Sequence, residues 1–510
     1  MPFTAVPTVP RHPHPPALSG PCRRSAMKRS ASSADAPTAI RAGQSASRTE
    51  PGLPRRKGTA NTRMARSVTA IAAVGSLGGL LFGYDTGIIS GALPAITSAF
   101  DLGVQAQQVL TSAIIVGAII GALISGRAAE RFGRRLTVMG AAGIFAIGAT
   151  AAALAPDLWT LGAARLVLGL AVGLAAQAVP LYVAEIAPPA RRGGLVVVFQ
   201  LAITIGILAA YLTGYLIDDS WRWMFGLGTV PALLLLAGMF QLPESPRWLF
   251  THQGKQAARD VLTQLRNDTQ VVNRELDDLR VIPASGPLGL AALRGRRLRP
   301  ALIAGIGLGV ASQVTGINAI IYYAPTILQD SGFGHSAAML TTVGVGVVNF
   351  LMVALGLWLV DRIGRRRLLL ALLPGAVVFL AVMAAVFTTT GTPTGSARWL
   401  AVICILGYIA CNGGSLSVVV WLIGPEIYPQ RIRADAVGLS TFAVWTTDLL
   451  VSLTTLSLTS ALGVSGTFWL FAAVNLLAVL FTFRYMPETR GRTLEEIEQA
   501  LDDGSFRSMR

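Results

Sequence analysis

Arg131-Phe132-Gly133-Arg134-Arg135 recurs as Arg362-Ile363-Gly364-Arg365-Arg366, 231 positions further along a chain of 510 residues. Two more landmarks repeat in the same order. Glu185-Ile186-Ala187-Pro188 returns 241 positions later as Glu426-Ile427-Tyr428-Pro429, and Pro243-Glu244-Ser245 returns 244 positions later as Pro487-Glu488-Thr489. Offsets this steady, differing by no more than one loop's length, mark two halves of one duplicated unit. Hydrophobic residues make up 53% and charged residues 13% of the chain, with a mean hydropathy of +0.58, a balance foreign to a soluble domain. In a membrane chain, duplicated halves place a binding site at their interface, where rocking alternates access. This is a transporter architecture before any substrate is considered.

Twelve apolar stretches are long enough to cross a bilayer, at about 20 residues each. They run over 67–91, 107–126, 136–155, 158–182, 194–218, 222–242, 299–328, 338–360, 368–388, 398–424, 436–459 and 466–485. Six precede the central polar segment and six follow it, in agreement with the repeat. The expected fold is therefore an all-α membrane protein of twelve transmembrane helices in two pseudo-symmetric six-helix halves, 67–242 and 299–485. Residues 243–298 join the halves and 486–510 form a tail. Within the linker Ala258, Val261, Leu262 and Leu265 recur at helical spacing, as do Leu276 and Leu279. This predicts short amphipathic helices capping one face; a plain solvated linker is the alternative.

The connections 127–135, 183–193, 243–298, 361–367 and 425–435 are rich in Arg, whereas the alternate set carries acids and essentially no Arg or Lys. By the positive-inside rule the Arg-rich set and both termini are expected in the cytoplasm, with the chain in the plasma membrane. Residues 1–66 hold twelve basic residues against Asp35 and Glu50, so this segment supplies +10 of the net +16. Its Pro, Ser and Arg enrichment reads as a disordered extension, with attraction to anionic lipid or nucleic acid as the other reading. No apolar run precedes residue 67, which excludes a secretory signal peptide. Cys404 and Cys411 fall in an apolar span and read as packing residues, and four His residues offer no metal constellation. Gly133-Arg134-Arg135 lacks the strand–loop–helix setting and Lys of a phosphate loop, so no nucleotide or other cofactor site is expected. No catalytic constellation supports an enzyme.

The ordered motif set resembles the sugar porter family of the major facilitator superfamily, close to its bacterial sugar–proton symporters, over about residues 67–498. It comprises Phe82-Gly83-Tyr84-Asp85-Thr86-Gly87, Gly126-Arg127 followed by Glu130-Arg131-Phe132-Gly133-Arg134-Arg135, Arg165, Pro243-Glu244-Ser245-Pro246-Arg247, Gln313-Val314-Thr315-Gly316-Ile317-Asn318 and Pro487-Glu488-Thr489-Arg490-Gly491. The resemblance implies uptake of a monosaccharide or polyol with a proton across the lipid bilayer, and no nucleic-acid partner. A uniporter of the same fold is one alternative, against which Asp85 argues. A transport-inactive sensor is another, but such proteins generally carry a long signalling tail, and about 25 residues follow the last span here.

A carboxylate inside an apolar span costs roughly 3 kcal/mol on insertion scales, so it usually lines a cavity and has a function. Burial favours the neutral form of a carboxyl and a nearby Arg the ionised form, so a movable Arg makes a proton switch. Arg165 in the fourth span is the natural partner of Asp85, and in similar symporters this pair couples proton to sugar. A static ion pair fixing two helices is the alternative. Sugar recognition needs neutral hydrogen-bonding groups and aromatic faces. Matching the family pattern, the candidates are Phe82 in the first span, Gln200 in the fifth, Gln313, Asn318 and Tyr322 in the seventh, Asn349 in the eighth, Trp421 in the tenth and Trp445 in the eleventh. Glu130, Arg131, Glu185 and Arg192 in the first half, mirrored by Arg362, Glu426 and Arg433 in the second, are the expected gating charges. They pair across helix ends to latch one state, or simply fix topology.

This chain departs from the family pattern in places. Glu130 replaces the usual Asp, Ser312 a second Gln, Val444 an amide, and Ser417-Val418 the usual Gly-Pro. Ile207 takes a position that is Gln in xylose symporters. Asp448 stands where Asn is familiar. It reads either as a second titratable or hydroxyl-binding group or, favoured here, as a residue standing in water at the outer cavity.

Overall fold

The computed structural model describes residues 57–188, 192–217, 220–266, 268–281, 293, 295–330, 332–391 and 393–509. Residues 1–56 of the basic extension, Cys22 among them, lie outside the described residues, as do the side chains of 57–69. Among the described residues every regular element is helical. The first half is α1 (Lys57–Phe100), α2 (Val104–Phe132), α3 (Arg134–Ala153), α4 (Leu158–Ile186), α5 (Arg192–Ile217) and a sixth crossing shared by α6 (Trp221–Leu227) and α7 (Thr229–Phe240). Three short helices follow: α8 (Pro246–His252), α9 (Lys255–Leu265) and α10 (Thr269–Val281). The second half opens with α11 (Arg299–Val314) and α12 (Ile317–Asp330), which share one crossing, then α13 (His335–Ile363) and α14 (Arg365–Thr390). It closes with α15 (Ser396–Gly413) and α16 (Leu416–Ile427), again one crossing, α17 (Arg433–Tyr485) and, beyond the last span, α18 (Leu494–Asp502).

Eleven helical stretches among the described residues are long and apolar enough to span a membrane. The twelfth crossing is hidden in α17. Its 53 residues would extend on the order of 80 Å, far beyond the thickness of one hydrocarbon core. Gly463, at φ 71° and ψ 168°, breaks it into the eleventh and twelfth crossings. The expected loop near 460–465 is thus a single reversed residue.

Small residues set how closely the helices approach. Within the first half α1 packs along α5 and α2 along α4. A Cβ on Gly83 would run into the Ile203 carbonyl, and one on Gly169 into the carbonyl of Ile114, so both crossings need glycine. The two halves then meet along α1 with α12, α5 with α13 and α2 with α17.

Each half carries the same device at its Arg-rich end. Gly133 and Gly364 take positive φ (94° and 104°), which stops the second and eighth crossings and starts α3 and α14. A carboxylate is folded onto each new N-terminus. Glu244 accepts the backbone N–H groups of Arg134 and Arg135 at 2.9 and 3.1 Å, and Glu488 those of Arg365 and Arg367 at 2.9 and 3.3 Å. The unpaired amides and positive dipole end of a helix favour an anion there. The linker is pinned by Arg266, which bonds the carbonyls of Ile186 and Ala187 at the end of α4 and pairs with Glu275 at 2.8 Å.

Candidate functional site

A cavity lies between α1 and α5 on one side and α11–α13, α16 and α17 on the other. Phe82, Gln200, Gln313, Asn318, Tyr322, Asn349, Trp421 and Trp445 all line it. Phe82 from the first half and Trp445 from the second lie against each other, ring centroids 5.6 Å apart.

The break in the seventh crossing is what brings its polar groups together. Five residues along an unbroken helix turn through about 140°, so Gln313 and Asn318 would diverge. At Thr315-Gly316 the helix stops, with Gly316 at φ 93°, and Asn318 Nδ2 donates to Gln313 Oε1 at 2.8 Å. The carbonyl of Thr315, left without its helical donor, accepts instead from Tyr408 OH at 2.8 Å and Asn475 Nδ2 at 2.9 Å. Inside a membrane such a break persists only when freed backbone groups are satisfied in this way. Gln313 Nε2 in turn donates to Ser312 Oγ at 3.1 Å. On α13, Asn349 lines the same cavity, and its Oδ1 is buried against Gly413 of α15 with no hydrogen-bond partner.

Asp448 is placed differently from the expectation. It is buried, not standing in outer water, and lines the same cavity. Its Oδ1 accepts from Asn318 Nδ2 at 2.8 Å and its Oδ2 from Tyr322 OH at 3.0 Å. The signal that finds it is an acid within an apolar span, the same signal that singled out Asp85, which is buried but lines neither this cavity nor the pocket beside Arg165.

Asp85 and Arg165 are both buried, at 2% and 0% exposure. They feel each other's charge but form no ion pair within 4.0 Å. Arg165 instead donates to the carbonyls of Leu110 and Thr111 on α2 at 3.0 and 3.4 Å, with its guanidinium 5.7 Å from the Phe225 ring. Its Nη1 and Asp85 Oδ2 are both buried without partners. Arg165 lines a small side pocket, and Phe82, Thr86, Tyr322 and Trp445 border both it and the central cavity.

The family model described as "Sugar (and other) transporter" matches residues 71–501. The chain belongs to the sugar porter family of the major facilitator superfamily. Over 430 residues this porter is 40% identical to the glucose transporter GlcP of Staphylococcus epidermidis, covering 84% of this chain and 96% of that one. Over 456 residues it is 38% identical to the galactose-proton symporter of Escherichia coli K12, covering 88% and 97%. Among solved structures, the inward open conformation of the xylose transporter XylE from E. coli is similar, with a TM-score of 0.74 at 30% identity, covering 85% of this chain and 99% of that one.

The two ends of the porter differ. On the acid-bearing side its halves are tied by Ser112 Oγ to Ser452 Oγ (2.9 Å), Ser457 Oγ to Gln108 Oε1 (2.8 Å) and Tyr211 OH to the Ile321 carbonyl (2.9 Å). Toward the Arg-rich end, clefts bordered by Trp421, Trp445, Gln177, Arg127, Glu130 and Asp435 continue from the central cavity. There the charge clusters close within each half. Glu185 pairs with Arg134 at 2.9 Å and accepts from Ser245; Glu426 pairs with Arg365 at 2.7 Å and accepts from Thr489 at 2.6 Å. The arginines paired with these acids are therefore Arg134 and Arg365, not the expected Arg131 and Arg362. Those two point outward, lying 5.6 Å from the Phe132 ring and 3.7 Å from the Trp358 ring. In a Gly-Arg-Arg turn three arginines stand within four residues of one another, and only the cap geometry decides which faces the acid. Arg433 donates to the Tyr428 carbonyl at 3.1 Å, and the Arg192 side chain lies outside the described residues. The two capping acids, Glu244 and Glu488, were visible in sequence only as landmarks.

Proposed function

We propose that this porter carries a monosaccharide or polyol into the cell together with a proton, by alternating access across the plasma membrane. In this reading the Arg-rich face and both termini are cytoplasmic, residues 67–242 and 299–485 are the rocking halves, and 243–298 caps the inner face. One observation carries it. A cavity at the interface of the halves is lined by neutral amides, hydroxyls and aromatic rings, and Arg165 lines a small pocket that shares four of those walls. Amides and hydroxyls match the alternating donors and acceptors of a sugar, and aromatic faces stack on its C–H side. The named relatives transport glucose and galactose, which supports the substrate class.

Coupling falls to Asp85 and Arg165. An arginine beside a carboxylate stabilises its ionised form. In the state described, Arg165 rests on helix carbonyls, so its movement to and from Asp85 ties proton exchange to conformation. Phe82, Gln200, Gln313, Asn318, Tyr322, Asn349, Trp421 and Trp445 hold the sugar. Glu185 and Glu426, with Arg134 and Arg365, set the energy of the inward-open state, while Glu130, Arg131, Arg192, Arg362 and Arg433 stand at the closing surfaces.

Purified full-length protein in liposomes tests this. With a pH gradient of about one unit, wild-type protein is expected to concentrate sugar up to about tenfold, the ratio one proton unit provides. Asp85→Asn is expected to lose that accumulation and keep counterflow. Undiminished accumulation in Asp85→Asn would overturn the assignment.

A further inference from the structure

We propose that Asp448 is a second proton-binding site, set inside the sugar cavity, whose protonation frees the donors that bind sugar. The proposal rests on the symport reading above and extends it. Both hydrogens of Asn318 Nδ2 are taken, one by Gln313 Oε1 and one by Asp448 Oδ1, and the single hydrogen of Tyr322 OH is taken by Asp448 Oδ2. In this state neither side chain has a donor left for a sugar. An ionised carboxylate accepts from both at once. When one of its oxygens gains a proton from the aqueous cleft, that oxygen becomes a donor, and Asn318 or Tyr322 is released to a sugar hydroxyl. Proton and sugar are then linked through shared side chains, and by reciprocity each favours the other.

The surroundings leave the proton as the neutralising ligand. Asp448 is 2% exposed, and among the described residues no Lys, Arg or His pairs with it. A buried carboxylate is costly unless it is paired or protonated. From α12 the titratable groups that face it are Tyr322 and Tyr323. Across the side cavity stands Arg165, beside Asp85, bonded to carbonyls of α2. The other helices packed against α17, namely α2, α11, α14 and α16, carry their charged residues only in their terminal turns at the Arg-rich end. Asp448 is thus separate from the Asp85–Arg165 couple.

Infrared difference spectra of the reconstituted full-length protein, without sugar, read the site directly. A protonated-carboxyl band present at low pH is expected to disappear in Asp448→Asn and to remain in Asp85→Asn. Counterflow of D-glucose, D-galactose and D-xylose with no gradient reads the linkage. The wild-type KM is expected to rise about tenfold between about pH 5.5 and pH 8.5, a coupling of ordinary size. It should be flat in Asp448→Asn and keep its slope in Asp448→Glu, which guards against a folding defect. A band untouched by Asp448→Asn, or a KM slope that persists in it, overturns the proposal. Wild-type uptake indifferent to the proton-motive force would sink the symport reading alone, because the band needs no transport.

Discussion

Glu185 and Glu426 occupy matching places in the two halves, yet their surroundings differ. Each faces the second arginine-bearing turn of its half and accepts from the hydroxyl that follows a capping glutamate. In the first half the pair is well covered, with side-chain exposures of 11% for Arg134 and 7% for Glu185; in the second, Glu426 is 27% exposed. Arg365 also takes a second acid, Asp361, at 3.0 Å one turn earlier on α13. The residue at the matching place in the first half is Glu130, which has no ion pair within 4.0 Å among the described residues and borders the open cleft instead. Glu130 carries one methylene more than Asp361. Duplication preserved the cap, the glycine and the central pair, and divergence acted on the acid at the rim.

The comparison predicts unequal losses. Glu185→Ala strands a covered arginine and is expected to cost about 3 kcal/mol or more, whereas Glu426→Ala leaves Arg365 its second acid and should cost roughly 1–2 kcal/mol. Thermal unfolding of the purified protein in detergent compares them, and equal shifts would break the argument. Gly133→Ala and Gly364→Ala should behave alike, because each added Cβ meets a positive φ and the capping carboxylate of Glu244 or Glu488. About 2 kcal/mol each is expected from backbone strain together with a disturbed cap. The smallest effect sharpens the contrast most. Glu130→Asp restores the shorter acid, and a pair one helical turn from Arg134 should return a few tenths of a kcal/mol. A cycle with Arg134→Gln isolates that coupling.

Much of the fold could be read from residue order because twelve apolar runs and three repeated landmarks each constrain it independently. The last two crossings illustrate the limit: composition shows two spans, but only the backbone shows that Gly463 alone divides them. The break at Thr315-Gly316 was equally hidden, since it depends on Tyr408 and Asn475 from other helices. In the site, Gln200, Gln313, Asn318 and Asn349 converge on one cavity, while other polar residues of the spans, such as Asn475, are satisfied by hydrogen bonds within the protein. Asp448 lines the same cavity, and the expectation of outer water failed because a span's limits fix depth only to within a turn or so. Which arginine meets Glu185 was not legible, for spacing along a turn does not reveal the direction of its side chains.

Among the described residues, the hydrogen bonds that tie the halves together on the acid-bearing side join hydroxyls to one another, to one amide oxygen and to one carbonyl. Neutral groups have no Coulomb attraction for dissolved ions to weaken. The strength of that closure is accordingly the same in brackish or dilute surroundings. A carrier built this way closes that end with a gate that dissolved ions do not weaken, and leaves the decision to open it to what occupies its interior.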